Sequence, residues 1–245
     1  MDLLLFQLHG PMASWGDIAV GDYRGTNVAP GESAVLGLVA AALGIDRADD
    51  DSHARLREGF SVIVATVKSG ALLRDYHTVQ TPSRSALTRR PHATRRDELA
   101  VGKGELNTII STRDYRVDAW SVVAMQARGG ASQTLLDLAD ALRRPRYVLY
   151  LGRKACPPDF PLDPVVLTSP SVLEGVRVYA HRASERRAAI NASANTEPTT
   201  IERLTWGDAV DVGCAADLTT EHRDQSTRRS RWQFRERTVH QKLRP

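Results

Sequence analysis

The chain has 245 residues, 42% of them hydrophobic and 25% charged, with a formal net charge of +4. This is the balance of an ordinary globular protein of one large or two small domains, with no run of about eighteen apolar residues to span a membrane. The net charge is too small to imply a nucleic-acid partner by itself. The two cysteines, Cys156 and Cys214, have no partners at metal-ligand spacing, which argues against a zinc site and fits a reducing, cytoplasmic setting.

The chain opens MDLLLFQLHGP, with an acid where a secretion signal needs a basic start and an apolar run too short for one. Leu3–His9 therefore reads as a first strand. GPMASWG (Gly10–Gly16) follows as a loop. Its glycines suit a phosphate cradle, but it lacks the P-loop lysine and the Rossmann spacing, so a tight turn with Trp15 packed on the first helix is the competing reading. A Gly-rich connection runs to Gly31. Ser33 then caps a helix reaching Leu43, and Gly44 stops it. Ala34–Leu43 is apolar nearly all round, the pattern of a helix buried against a sheet. DRADDDSH reads as a solvated turn. Ser61–Gly70 predicts a strand, with Ala71–Gln80 returning beside it as a hairpin across Ser69–Gly70.

From Thr81 to about Gly104 the apolar pattern lapses, and Arg84, Arg89, Arg90, Arg95, Arg96 and Lys103 face only Asp97 and Glu98. This is a basic insertion, either a long hairpin or a partly disordered loop. Leu106–Ala127 supplies two further strands. Ser132 and Gln133 open a helix with Leu135, Leu136, Leu138, Ala139 and Leu142 at helical spacing, and Pro145 ends it. Next comes RRPRYVLYLGRKACP (Arg143–Pro157). Its centre, VLYLG, reads as a buried strand bracketed by Arg143, Arg144, Arg146, Arg153 and Lys154, with Tyr147 and Tyr150 between them.

The order strand, helix, hairpin, insertion, strand, helix, strand predicts an α+β protein: a ferredoxin-like, RRM-like βαββαβ domain over 1–157 with a basic thumb inserted at about 81–104. Beyond Pro158 the short segments PVVLTSP, EGVRVYAH and TIERLTWGDAV predict a small β-rich domain over 158–221, with a mobile loop at Ser184–Thr200. Residues 222–245 are arginine-rich and show no hydrophobic face, so they read as a tail that is exposed or ordered only on binding.

Catalytic motifs are absent: the seven histidines form no metal spacing, and no GxSxG, Walker or GxGxxG pattern occurs. In RDYHT (Arg74–Thr78), Tyr76 beside His77 offers acid–base cleavage of RNA. On a strand, however, neighbours diverge, one buried and one exposed, which favours packing plus a binding contact. Only four of the 33 cationic side chains are lysine. Arginine's planar fork suits phosphate, yet a GC-rich genome produces the same bias, so clusters must carry the argument. Three basic segments interleaved with tyrosines on such a sheet make an RNA-binding surface, although no RNP pattern marks an ordinary RRM.

GPMASWG, LGLVAAALGI (Leu36–Ile45), LRDYHTV (Leu73–Val79) and RPRYVLYLGRKACP (Arg144–Pro157) resemble, in order, the Cas-five branch of the RAMP superfamily, the branch that supplies the CasD subunit of type I-E CRISPR Cascade complexes. They span the first two thirds of the chain. The resemblance implies a ferredoxin-like domain with a thumb and a small β domain. It implies a non-catalytic antiviral subunit without a cofactor, gripping the 5′ handle of mature crRNA at one end of the complex. The backbone subunit CasC and the large subunit CasA are the expected neighbours, and target DNA is reached indirectly. It places handle contacts at Arg113, Tyr150, Arg153 and Lys154 and backbone contacts at Arg84, Arg89 and Arg90. Arg146 joins them from the basic bracket. Two departures stand out: Glu32 where the family often has a basic residue, and an arginine-rich tail longer than expected. The competing function is a metal-independent endoribonuclease, as in the type I-C relative, with Tyr76, His77 and Lys103 as the imitation of its site. A general single-stranded RNA-binding protein is a third reading. Cys156 is expected to be a packed small hydrophobe.

Overall fold

Leu3, Leu4, Leu5 and Phe6 are all fully buried. Successive strand side chains point to opposite faces, so this run requires a sheet covered on both sides. The computed structural model, which describes residues 1–16, 19, 21–88, 90, 92–190 and 199–245, shows how that is met. The elements are β1 (Asp2–Ala13), β2 (Tyr23–Arg24), α1 (Glu32–Leu43), α2 (Asp50–Gly59), β3 (Phe60–Lys68), β4 (Ala71–Pro82), α3 (Arg95–Leu99), β5 (Leu106–Ala127), α4 (Leu135–Arg143), β6 (Val165–Thr168), α5 (Val172–Ile190), β7 (Arg203–Trp206), β8 (Leu218–Arg228) and β9 (Gln233–Leu243). Among the described residues nine strands form one sheet in the order β6-β1-β5-β3-β7-β9-β8, with β2 and β4 also paired to β5. All pairs are antiparallel except β2 with β5. Leu4, Phe6, Val62, Val64, Val123 and Met125 pack one face against α1, α2 and α4. Leu3, Leu5, Ile63, Ala65, Val122 and Ala124 pack the other against Val172, Val176, Tyr179 and Ala183 of α5.

Several expectations are corrected. Leu106–Ala127 is one 22-residue strand rather than two. Ala71–Gln80 does not return beside the preceding strand. Both β3 and β4 pair with β5 in the same direction, Lys68 opposite Trp120 and Ala71 opposite Val117, so Ser69–Gly70 is a step along β5 and not a turn. The basic segment is thereby the tip of a long β4–β5 hairpin, and it contains α3, closed by a reciprocal Thr94–Asp97 cap. DRADDDSH opens α2, with Asp49 accepting the Ser52 N–H and two more acids in the first turn, where the helix dipole favours them. The fourth helix begins at Leu135, with Thr134 as its N-cap in a reciprocal cap with Asp137, rather than at Ser132.

VLYLG is not a strand. Residues 148–152 form an extended strap in which Leu149 and Leu151 are buried while Val148 is 87% exposed. The outer edge of β1 is already occupied by β6 at Asp2–Leu5, so no ladder is open to it there. EGVRVYAH lies inside α5: Val172, Val176, Tyr179, Ala180 and Ala183 are its buried positions, a helical spacing that passes for alternation over a short window. That helix runs to Ile190, so the first part of the loop expected over Ser184–Thr200 is helix, and residues 191–198 lie outside the described residues. The strands of 158–221 join the main sheet rather than building their own.

The tail is also ordered. β8 and β9 pair with each other, and β9 pairs with β7. The hairpin is seated on α1 by charge. Arg237 donates from Nε and Nη2 to Asp224 at 2.6 and 3.0 Å, with Glu32 at 3.6 Å. Asp224 in turn accepts the Glu32 N–H at 2.9 Å, capping a helix whose N-cap, Gly31, has no side chain to do so. Arg229 donates to the Ser33 carbonyl at 3.0 Å and lies over Gly37, where any Cβ would displace it. Arg237→Met should therefore destabilise the protein by about 2–4 kcal/mol, because it strands two largely buried carboxylates. Urea unfolding checks this, and a change under about 0.5 kcal/mol, the range of ordinary surface substitutions, would show that the triad does not seat the hairpin.

Candidate nucleic-acid interface

Seating β8–β9 against α1 leaves a groove of about 980 Å³ between them. One wall is α1 with Trp15, Gly16 and the strap residues Val148–Tyr150; the other is β7 and the hairpin, including Arg223, Arg229, Trp232 and Phe234. Glu32, Asp224 and Arg237 also line it, and their charges are engaged with one another.

The strap is held by backbone bonds. Ser14 N–H donates to the Leu151 carbonyl at 3.0 Å, and Leu151 N–H donates to the Cys156 carbonyl at 2.7 Å. Gly152 has φ +85, and a Cβ there would run into the Ser14 carbonyl, so the close crossing of the two segments requires glycine. Tyr150 is left 40% exposed at the groove, and Lys154 is exposed just beyond it. Arg153 behaves differently. Its guanidinium lies 4.7 Å over the Tyr115 ring and donates to the carbonyls of Asp114 and Arg24 at 3.4 and 3.2 Å. It locks the strap to β5 and β2. Cys156 is fully buried in the core, and burial pushes its thiol up.

GPMASWG does not form a phosphate cradle. β1 continues through it to Ala13, and the N–H groups of Ser14 and Trp15 are taken by Leu151 and Thr26. Trp15 is buried, in line with the packing alternative. At the root of the β4–β5 ribbon, the buried Asp114 carboxylate accepts from Arg74 at 2.9 and 3.1 Å and from the Tyr23 hydroxyl at 2.5 Å. Arg74 does most to hold Asp114 below the ordinary carboxyl range, against the effect of burial, with Tyr23 adding to it. The same bond raises Tyr23.

The other expected contacts are dispersed. Arg113 lies beside Ser111 on β5, Nε to Oγ at 3.3 Å. Arg84 and Arg90 are exposed at the ribbon tip, where Arg90 donates to the Ala100 carbonyl. Arg89 lies outside the described residues. Arg146 packs across Gly44 at the far end of α1. The structure thus gathers Tyr150, Arg153 and Lys154 and leaves the ribbon cations apart from them. Tyr76 and His77 are on a strand and diverge, but neither is buried as one was expected to be. His77 has Asp75 at 3.7 Å, and among the described residues no bond joins any two of Tyr76, His77 and Lys103. Sequence reasoning missed Arg229, Trp232 and Phe234. Their signal was RRSRWQF, two aromatics close together beside arginines, as in the stretch that holds the strap.

Residues 3–240 match the model of a family described as CRISPR-associated protein (Cas_Cas5). The CRISPR system Cascade subunit CasD of Escherichia coli (strain K12) is 34% identical over 167 residues, 65% of this chain and 68% of that one. A solved chain described as a CRISPR RNA-guided surveillance complex superposes with a TM-score of 0.63 at 24% identity, covering 99% of this chain and 90% of its own. A second, described as a Cas protein, gives 0.61 at 24% identity over 99% and 95%. These two likenesses establish the fold: mixed helices on a largely antiparallel sheet.

Two measurements probe the site's supports. Gly152→Ala should cost about 2–5 kcal/mol, from left-handed strain plus the clash with Ser14, read as a fall in the urea midpoint; a neutral result would mean the strap can shift. Asp114 has a lowered folded pKa, so its charge contributes stability that is full above about pH 5 and is lost as pH falls through the folded value. The stability gap between the parent and Asp114→Asn should narrow between neutral and acid pH; a constant gap would refute an ionised, buried Asp114.

Proposed function

The chain belongs to the Cas5 family of CRISPR-associated proteins, and from that premise we propose that it is a non-catalytic subunit of a Cascade-type surveillance complex in antiviral defence, binding the 5′ handle of mature crRNA and capping one end of the assembly in the cytoplasm. In this reading β1, α1, β3, β5 and α4 make the ferredoxin-like, RAMP-type core. The β4–β5 ribbon with its tip at 83–105 is the thumb.

The observation that carries the reading is the strap. Tyr150 stands open at a groove while its neighbours Leu149, Leu151 and Gly152 are locked into the protein. A half-exposed aromatic on a pre-organised backbone, with Lys154 beyond it, stacks a base and meets a phosphate without further ordering. Arg153 positions this pair rather than meeting RNA itself. Arg84, Arg90 and Arg113 follow the RNA backbone along the ribbon. Leu72, Leu73, Tyr76, Ile109 and Ile110 are exposed on the ribbon, which suits a surface covered by a neighbouring subunit of the CasC type. CasA is the second neighbour and target DNA an indirect one. The endoribonuclease reading loses support because Tyr76, His77 and Lys103 do not converge, and a general base needs hydrogen-bond reach to its proton.

Co-purification of the tagged chain with a crRNA-bearing complex tests assignment to the assembly. Tyr150→Ala should weaken binding of the handle by about 1–3 kcal/mol with the fold intact, and parental affinity would remove the stacking role. Precursor crRNA incubated with the chain in EDTA should stay whole. Discrete cleavage that disappears in His77→Ala would put the endoribonuclease first.

A further inference from the structure

We propose that the turn between β8 and β9 is a second base-stacking station, in which Trp232, flanked by Arg47 and Arg229, takes an unpaired nucleobase of single-stranded RNA lying in the groove. The inference rests on the reading above that RNA occupies this groove.

Four observations carry it. First, Trp232 is 56% exposed, whereas Trp15, Trp120 and Trp206 are 5%, 7% and 5% exposed. The fold hides its other indoles and presents this one. Second, Trp232 has φ 52, a conformation that bulky side chains rarely adopt and that persists only where the surroundings enforce it. Here they do. Ser230 is bound through its N–H and Oγ to Asp50 of α2 at 3.0 and 2.5 Å, Arg57 holds the Ser226 carbonyl at 2.6 Å, and the Trp232 N–H reaches the Arg229 carbonyl at 3.3 Å. The backbone that carries the indole is thus pre-organised by contacts that do not involve the ring.

Third, the guanidinium carbons of Arg47 and Arg229 lie 4.1 and 5.6 Å from the Trp232 ring. Burial, opposed by Tyr150, pulls Arg229 down from its ordinary value, and Arg47 pulls it further. Arg229 gives one donor to the Ser33 carbonyl, but among the described residues neither arginine has a carboxylate partner, so both positive charges are left unneutralised. Two cations crowded around one aromatic call for a ligand that is anionic and planar together, as a nucleotide is. An apolar peptide would cover these charges without pairing them, at a desolvation cost. Fourth, Tyr150, Arg229, Trp232 and Phe234 all line the same groove, so the station continues the surface that begins at the strap.

Because the other three indoles are buried, the acrylamide-accessible part of the tryptophan fluorescence reports on Trp232. The full chain is titrated with a single-stranded RNA of roughly ten nucleotides. Binding is followed by anisotropy and indole exposure by acrylamide quenching. RNA should shield the indole. Trp232→Ala should raise Kd roughly 5- to 150-fold, the equivalent of one lost stack. Trp232→Phe, which keeps a ring on the same backbone, should stay within a few-fold of the parent and so separates stacking from damage to the turn. Tyr150→Ala should weaken binding yet leave the shielding of Trp232 in place at saturating RNA. RNA that binds with the indole still open to acrylamide, or with parental affinity in Trp232→Ala, overturns the station and leaves the handle reading standing. Shielding by partner subunits without RNA assigns the indole to a protein interface and also overturns it. Failure of the RNA to bind at all removes both.

Discussion

The architecture depends on one strand serving two purposes along its length. β5 lies between β1 and β3 from Ala119 onward; before that it pairs with β4, still beside β1 at Arg116 and Val117 and then as one arm of a projecting ribbon. The change falls at Asp118, which has φ 56. A non-glycine residue in that region must be held there, and Asp118 is. Burial works against its ionisation, but hydrogen bonds from Lys68 and His9 outweigh burial and keep the carboxyl below its usual range. The other ring nitrogen of His9, Nδ1, meets Asp159 at 2.6 Å, and Arg187 Nη2 lies 2.9 Å from the same Nε2 that faces Asp118. Arg187 lies between Trp120 and Phe160, at 4.6 and 5.2 Å from their rings. One charged cluster therefore ties together the break in β5, the segment around Asp159 that follows the strap, and α5. Polar networks of this kind are sound only when nearly every member is satisfied, which makes the region intolerant of partial change.

The groove follows from what α1 can bury. The helix is apolar nearly all round, so one layer of sheet cannot cover it. The strap covers it on one side, and the C-terminal hairpin approaches from another through Asp224 and Arg229, over Gly31 and Gly37. Neither is continuous with the other, and the space between them is the groove. Where the hairpin meets the helix its charges are engaged internally: Arg237 and Asp224 neutralise each other beside Glu32. What remains for a ligand is the exposed aromatic surface of Tyr150 and Trp232, both lining the groove.

Legibility in the sequence followed the range of the forces involved. The end of α1 at Gly44 and the body of α4 were readable because a left-handed cap and a 3.6-residue stripe are local signals. VLYLG was misread because burial alternates in a strap as it does in a strand, and only the prior occupation of β1's edge by β6, whose strand lies later in the chain, decides between them. The tail was misread for a similar reason. Its strands are seated by an ion triad reaching back to Glu32, almost two hundred residues away, and no window on HRDQSTRRSRWQFRERT contains that partner. Glu32 itself looked like a departure that weakened the helix start; in the structure it helps to hold the hairpin there.

The same distinction governs the arginines, and it explains why counting them could not locate a site. Arg74, Arg153 and Arg237 look alike in the sequence to Arg84 and Arg113, yet their forks are engaged by the protein's own carboxylates, carbonyls and rings. A fork whose donors are satisfied internally contributes to rigidity and little to ligand affinity, because exchanging those bonds for phosphate bonds gains almost nothing net. Tyrosine and tryptophan carry the complementary signal. Burying an aromatic is so favourable that one left exposed on a restrained backbone needs a reason beyond the fold. In this chain the informative quantity is therefore the aromatic surface withheld from the core. Tyr150 and Trp232 withhold it on facing walls of one groove, each on a segment whose neighbours are tied down. Function in this molecule is read from what the folding forces leave unused.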